Sequence, residues 1–150
     1  MTFVLVVATI TILVLVSIID IRERRIPNAI TYPAIFFALL FLSTVGTFLD
    51  SGPKLSRALI GLFVTFGVFL SLHVISPNGI GLGDVKLSAL LGLSLGWISI
   101  DALIFGLFAI FIISGLYSLV LIIRNPRMLS ASIPFAPFMT LGYLIGAVFR

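Results

Sequence analysis

The chain has 150 residues, 61% of them hydrophobic and only 9% charged, with a formal net charge of +4 and a mean hydropathy of +1.34. A soluble domain carries roughly 25% charged residues, and a chain this apolar has too little polar surface to cover a core, so the composition defines an integral membrane protein. The absence of cysteine rules out disulfides, thiolate catalysis and cysteine-held zinc, and a single histidine rules out a histidine cluster. No metal site and no cofactor are expected. The basic residues lie in short loops, a pattern suited to anionic lipid head groups rather than nucleic acid.

A helix needs about 20 apolar residues to cross a bilayer, and that length divides the chain into six apolar segments. The first, 2–19, carries no charge. It lacks a basic leader and a small-residue cleavage site, so it reads as a retained helix and not as a signal peptide. Asp20 to Asn28 read as a charged loop holding Arg22, Glu23, Arg24 and Arg25 ahead of Ile26-Pro27-Asn28, with Pro27 at the entry to a second helix over about 29–49.

The turn Asp50-Ser51-Gly52-Pro53-Lys54 leads to a third helix over about 56–76, and Pro77-Asn78-Gly79 breaks it. A fourth segment, 85–100, is short, with Trp97 near its far end as an interfacial anchor. Asp101 marks the turn into a fifth helix over 102–123, and Arg124-Asn125-Pro126-Arg127 opens the next loop. Ile133-Pro134-Phe135-Ala136-Pro137-Phe138 then starts a sixth helix that ends at Phe149.

The expected fold is therefore an all-α, polytopic bundle of six transmembrane helices forming one integral-membrane domain over 1–150. Arg22, Arg24, Arg25, Lys86, Arg124 and Arg127 fall on one side, against Lys54, Arg57 and Arg150 on the other. The richer side is expected to be cytoplasmic. Both termini then lie outside, and Asp20 and Asp84 share the cytoplasmic side.

The stretch Asn78-Gly79-Ile80-Gly81-Leu82-Gly83-Asp84-Val85-Lys86-Leu87 delivers a carboxylate to the edge of an apolar segment. Glycine there allows backbone freedom and close approach. An acid beside hydrocarbon is a candidate functional group, and two on one side can share a proton. One would act as general base on a water and the other as general acid toward the carbonyl and leaving amine, which is peptide hydrolysis with no covalent intermediate. Asp20 ends a helix and Asp84 begins one, so the dipoles favour Asp20 as the proton holder.

Simpler roles stand beside these. Asp84 can be an N-cap, Asp20 a loop acid, Asp50 and Asp101 solvated turn residues, Lys86 a snorkelling lipid contact and His73 a hydrogen-bonded packing residue. A phosphate loop is a poor fit, because such loops follow a strand and Asp84 would repel the anion.

Three stretches together resemble the type IV prepilin peptidase family of membrane aspartic proteases, in the short form associated with Tad/Flp pili. They are Asp20 with Ile26-Pro27-Asn28, Gly81-Leu82-Gly83-Asp84 with Lys86-Leu87, and Ile133-Pro134-Phe135-Ala136-Pro137-Phe138. Gly-x-Gly-Asp alone would be weak; the three in order are specific.

The resemblance implies an endopeptidase of the inner membrane that removes the leader from prepilin-like substrates on the cytoplasmic side. Asp20 and Asp84 match the catalytic pair. Gly81, Gly83, Lys86, Pro27, Asn28, Pro134 and Phe135 match substrate-binding or supporting positions. Ala136 stands where many relatives have Gly, and no cysteine-containing methyltransferase region is visible, so peptidase activity without methyl transfer is expected. A proton- or cation-coupled transporter using the same two acids is the alternative, and it would hold them near the bilayer midplane.

Overall fold

A computed structural model describes residues 1–48, 51–76, 79–124 and 134–149. The readings made at Asp50, Pro77, Asn78, Asn125, Pro126, Arg127, Ile133 and Arg150 lie outside them. The described residues form six helices: α1 (Thr2–Glu23), α2 (Asn28–Phe48), α3 (Gly52–Ile75), α4 (Leu82–Ile98), α5 (Ile100–Arg124) and α6 (Ala136–Val148). Every apolar segment is a helix. Four of them, α1, α2, α3 and α5, are long and apolar enough to cross a membrane. With 17 and 13 residues, α4 and α6 reach only about 26 and 20 Å at ~1.5 Å per residue.

The boundaries differ from the expected ones in instructive ways. α1 runs on to Glu23, past the expected loop start at Asp20, and stops at Arg24, whose φ of 52° is left-handed and whose N–H closes on the Asp20 carbonyl. The buried positions of α1 are Leu5, Thr9, Leu13, Val16, Ser17 and Asp20, one stripe at helical spacing. Asp20 faces inward because it continues that stripe. α3 begins at Gly52, with Pro53 in its first turn, where a missing N–H costs nothing.

The short α4 is the centre of the bundle. From Val85 to Trp97 all but the half-buried Lys86 are buried, and α4 touches every other helix. A helix that is apolar all round is one surrounded by protein, so it needs no lipid-facing length. Trp97 is only 3% exposed and packs with Leu5, Leu42, Val45, Ala58 and Leu93, which corrects its reading as an interfacial anchor.

Glycines set the spacing between helices. A Cβ on Gly92 would collide with Thr65 Oγ1 and the Gly61 carbonyl, and one on Gly96 would come within 2.6 Å of the Arg57 carbonyl. Thr65 Oγ1 also lies 2.8 Å from the Ser88 carbonyl, a hydrogen bond from α3 to α4. Gly142 and Gly146 of α6 meet Gly106 and Ala102 of α5 in the same fashion. Small residues four apart let membrane helices approach backbone to backbone.

Candidate active site

The helices alternate in direction, so one end of the bundle gathers the C-terminal ends of α1, α3 and α5 with the N-terminal ends of α2, α4 and α6. Asp20 and Asp84 both lie at this end, 6% and 8% exposed. Burying two carboxylates is costly unless donors meet them, and their donors differ.

Asp20 Oδ2 accepts a hydrogen bond of 3.0 Å from the Ala136 N–H, at the first turn of α6. The open N–H groups and positive dipole end of that helix favour a carboxylate. The register that brings them together is fixed one turn away. Ser17 and Thr140 share a 2.7 Å hydroxyl contact, and Thr140 Oγ1 also lies 3.0 Å from the Ala136 carbonyl. Phe135, just ahead, packs edge-on against Phe69 with ring centroids 5.7 Å apart.

Asp84 sits at the third position of α4, where Oδ2 accepts the Gly81 N–H at 3.1 Å, half of a capping box. Its other oxygen, Oδ1, is buried with no protein partner. Asp84 precedes the apolar run of α4. Burial first, and the Asp20 carboxylate second, push its carboxyl up from 3.8 to about 7, against the pull of the Gly81 N–H. The raised group is thus Asp84, whereas the dipoles of the two helices that carry the acids point to Asp20. Asp20 is at the end of its own helix but meets the start of another, so the dipole it feels is that of α6.

The glycine loop works by close approach. No glycine among the described residues has positive φ, so the expected need for unusual backbone angles is not met. A Cβ on Gly83 would lie 2.7 Å from Ile26 Cβ, and one on Gly81 would lie 3.3 Å from Asp84 Oδ2. Gly83 thus lets the turn bearing Asp84 rest on the Ile26-Pro27-Asn28 segment. His73 Nδ1 lies 2.7 Å from the Ile80 carbonyl and ties the loop to α3, the hydrogen-bonded role read from the sequence.

Lys86 joins the same two segments. Its Nζ donates to Asn28 Oδ1 at 3.0 Å and stands 4.8 Å from the centre of the Tyr32 ring. Pro27 precedes α2, and its carbonyl accepts the Thr31 hydroxyl at 2.8 Å. Pro134 and Phe135 lead into α6 and are half-buried. The three motif stretches therefore meet at one end of the bundle. Sequence reading does not reveal the Ala136 N–H, Ser17 or Thr140; for the two hydroxyls alone a signal exists, Thr140 one turn after Ala136 and Ser17 one turn before Asp20.

Two buried carboxylates at one end of the bundle, one raised by burial and then by its neighbour's charge, have the disposition of an acid–base pair. The sequence model of the type IV leader peptidase family matches residues 7–123, both aspartates included, and the chain belongs to that family. It is similar to the prepilin leader peptidase/N-methyltransferase of Aeromonas hydrophila, 31% identical over 133 residues, which are 87% of this chain and 44% of that protein. The Escherichia coli K12 protein of the same name is 29% identical over 134 residues, covering 86% of this chain and 56% of its own length. Leader peptidase HopD of Escherichia coli is 27% identical over 139 residues, 89% of this chain and 85% of that protein. The chain thus spans about half the length of the first two. No solved structure matches it.

Proposed function

We propose that the chain is a membrane aspartic endopeptidase that removes the leader from prepilin-like substrates, of the Flp type. The observation that carries this reading is the pairing of Asp20 and Asp84 at one end of the bundle, with Asp84 raised toward neutrality beside Asp20. In the resting pair Asp84, the raised group, is the proton donor, and Asp20, held by the Ala136 N–H, is the base that faces the water. Water attacks the scissile carbonyl carbon while Asp20 takes its proton. Asp84 delivers its own to the carbonyl oxygen, giving a gem-diol; as the C–N bond breaks, Asp20 passes the water's proton to the leaving nitrogen and a gem-diol hydroxyl returns one to Asp84. The pair again carries one proton after each turnover.

Orientation follows from charge. Arg22, Arg24, Arg25, Lys86 and Arg124 surround the aspartate end, and Lys54 and Arg57 lie at the other. On the positive-inside rule the site faces the cytoplasm of the inner membrane, the helices cross six times and both termini face outward. The short α4 fits this reading because protein, not lipid, surrounds it, while α6 turns Leu141, Leu144, Ile145 and Val148 outward. A scissile bond at the edge of an apolar substrate helix then meets the acids at the membrane rim.

Co-expression with Flp-type prepilins, reading the leader by mass, tests the proposal. Leader loss with the wild-type chain and intact prepilin with Asp20→Asn or Asp84→Asn is the expected result. Unprocessed prepilin in every pairing overturns it.

A further inference from the structure

We propose that the apolar cleft between α1 and α2 seats the membrane helix of the substrate; the inference rests on the peptidase reading above. The cleft has a volume of about 420 Å³ and is lined by Ala8 and Ile12 of α1 and by Ala29, Pro33 and Ala38 of α2, with Leu90 of α4 as its floor. α1 and α2 are joined by a short loop and run antiparallel, yet they part along this length. Pro33 has no N–H for the Ala29 carbonyl, a feature at which helices bend.

Three features select a helix as the occupant. First, the cleft follows α2 from Ala29 to Phe41, about 18 Å at ~1.5 Å per residue, parallel to the bundle. Second, alanines line it, and in this molecule the small-residue faces of α3 and α4, and of α5 and α6, are each filled by a helix. Third, it leads to the aspartate end. Leu90 lies one turn beyond Lys86 on α4, and Lys86 is bonded to Asn28, which directly precedes Ala29. Asp20 continues the α1 stripe that contains Thr9, another residue of the cleft wall. A helix in the cleft delivers the peptide bond at its end to the acids. An acyl chain in the same space delivers nothing.

Single cysteines can be added cleanly, because the chain has none. The full chain, carrying Ala8→Cys or Ala38→Cys, is co-expressed with an Flp-type prepilin holding one cysteine in its apolar helix. Phe63→Cys on α3 and Leu116→Cys on α5, both lipid-facing, serve as controls. Disulfide capture at the cleft at least about tenfold above the controls is expected. Equal capture, or capture on α3 or α5, overturns the inference.

Filling the cleft gives a second readout. Ala38→Phe and Ala8→Phe should lower processing of the intact prepilin relative to a peptide that ends just past the scissile bond, by about tenfold in the ratio. An unchanged ratio in a folded variant assigns the cleft to lipid and overturns the inference while leaving the peptidase reading intact. No cleavage of either substrate by the wild-type chain sinks both.

Discussion

Asp20 and Asp84 are the same residue type at the same end of the bundle, and their surroundings differ. Asp20 is met by an N–H from a distant helix, 116 residues along the chain, while Asp84 has one local donor and an oxygen with no protein partner. The contrast teaches that burial and a neighbouring charge outweigh a favourable helix end: Asp84 sits in the first turn of α4 with one donor and its carboxyl is still raised.

Removing either member of the pair is the bluntest way to break the contrast. Asp20→Asn and Asp84→Asn should each lower leader cleavage by at least about 10³-fold, within the range for acid–base groups, with the chain still present in the membrane. Because the two act as a unit, the double variant should be little worse than either single one.

The pH dependence sharpens it. Asp84 titrates near 7 in the folded chain, above its ordinary 3.8, so cleavage should fall as pH rises through about 7 and the pair loses its shared proton. Stability follows the same sign: the folded state binds this proton more tightly than the unfolded one, so the contribution is full below 3.8 and lost as pH rises through about 7. In Asp20→Asn the midpoint of Asp84, read by infrared or NMR titration, should move down, because one of the two causes raising it is gone.

Two glycine substitutions separate close approach from flexibility. Gly83→Ala places a Cβ 2.7 Å from Ile26 Cβ and should cost about 1–3 kcal/mol of overpacking, seen as lower thermal stability together with slower cleavage. Gly67→Ala on α3, with nothing within 4 Å, should be neutral or stabilise by up to about 1 kcal/mol through helix propensity.

The smallest effects belong to the polar braces. Thr140→Val removes the Ser17 contact at constant shape and should cost about 1 kcal/mol. Its signature is a change in the Asp20 surroundings, readable as a shifted pH profile. Lys86→Met frees Asn28 and Tyr32. Lys86 is not among the groups that shift Asp84, so cleavage should slow a few-fold while the limb near pH 7 stays in place.

Much of this site was legible in the chain. The apolar runs located six helices, and a carboxylate against hydrocarbon is costly enough to mark Asp20 and Asp84. Charge alone predicts that the first helix ends at Asp20, yet the stripe Leu5, Thr9, Leu13, Val16, Asp20 is continuous in the sequence and extends the helix through it. Gly92 with Gly96, and Gly142 with Gly146, carry the small-residue spacing that tightens α3 on α4 and α5 on α6. The Ala136 N–H left no trace at all, since a backbone donor looks the same in every residue but proline. Trp97 looked interfacial from its position, and only the packing of α4 at the centre puts it in the core.

The backbone contact of α4 with α3 at Gly61 and Gly92 has a mechanical consequence. An axle gripped on all sides neither slides nor turns, so Asp84 is the stationary half of the pair. Asp20 is moored to α6 through the Ala136 N–H and the Ser17–Thr140 contact, so any adjustment that closes the pair around a peptide carries α1 and α6 as one piece.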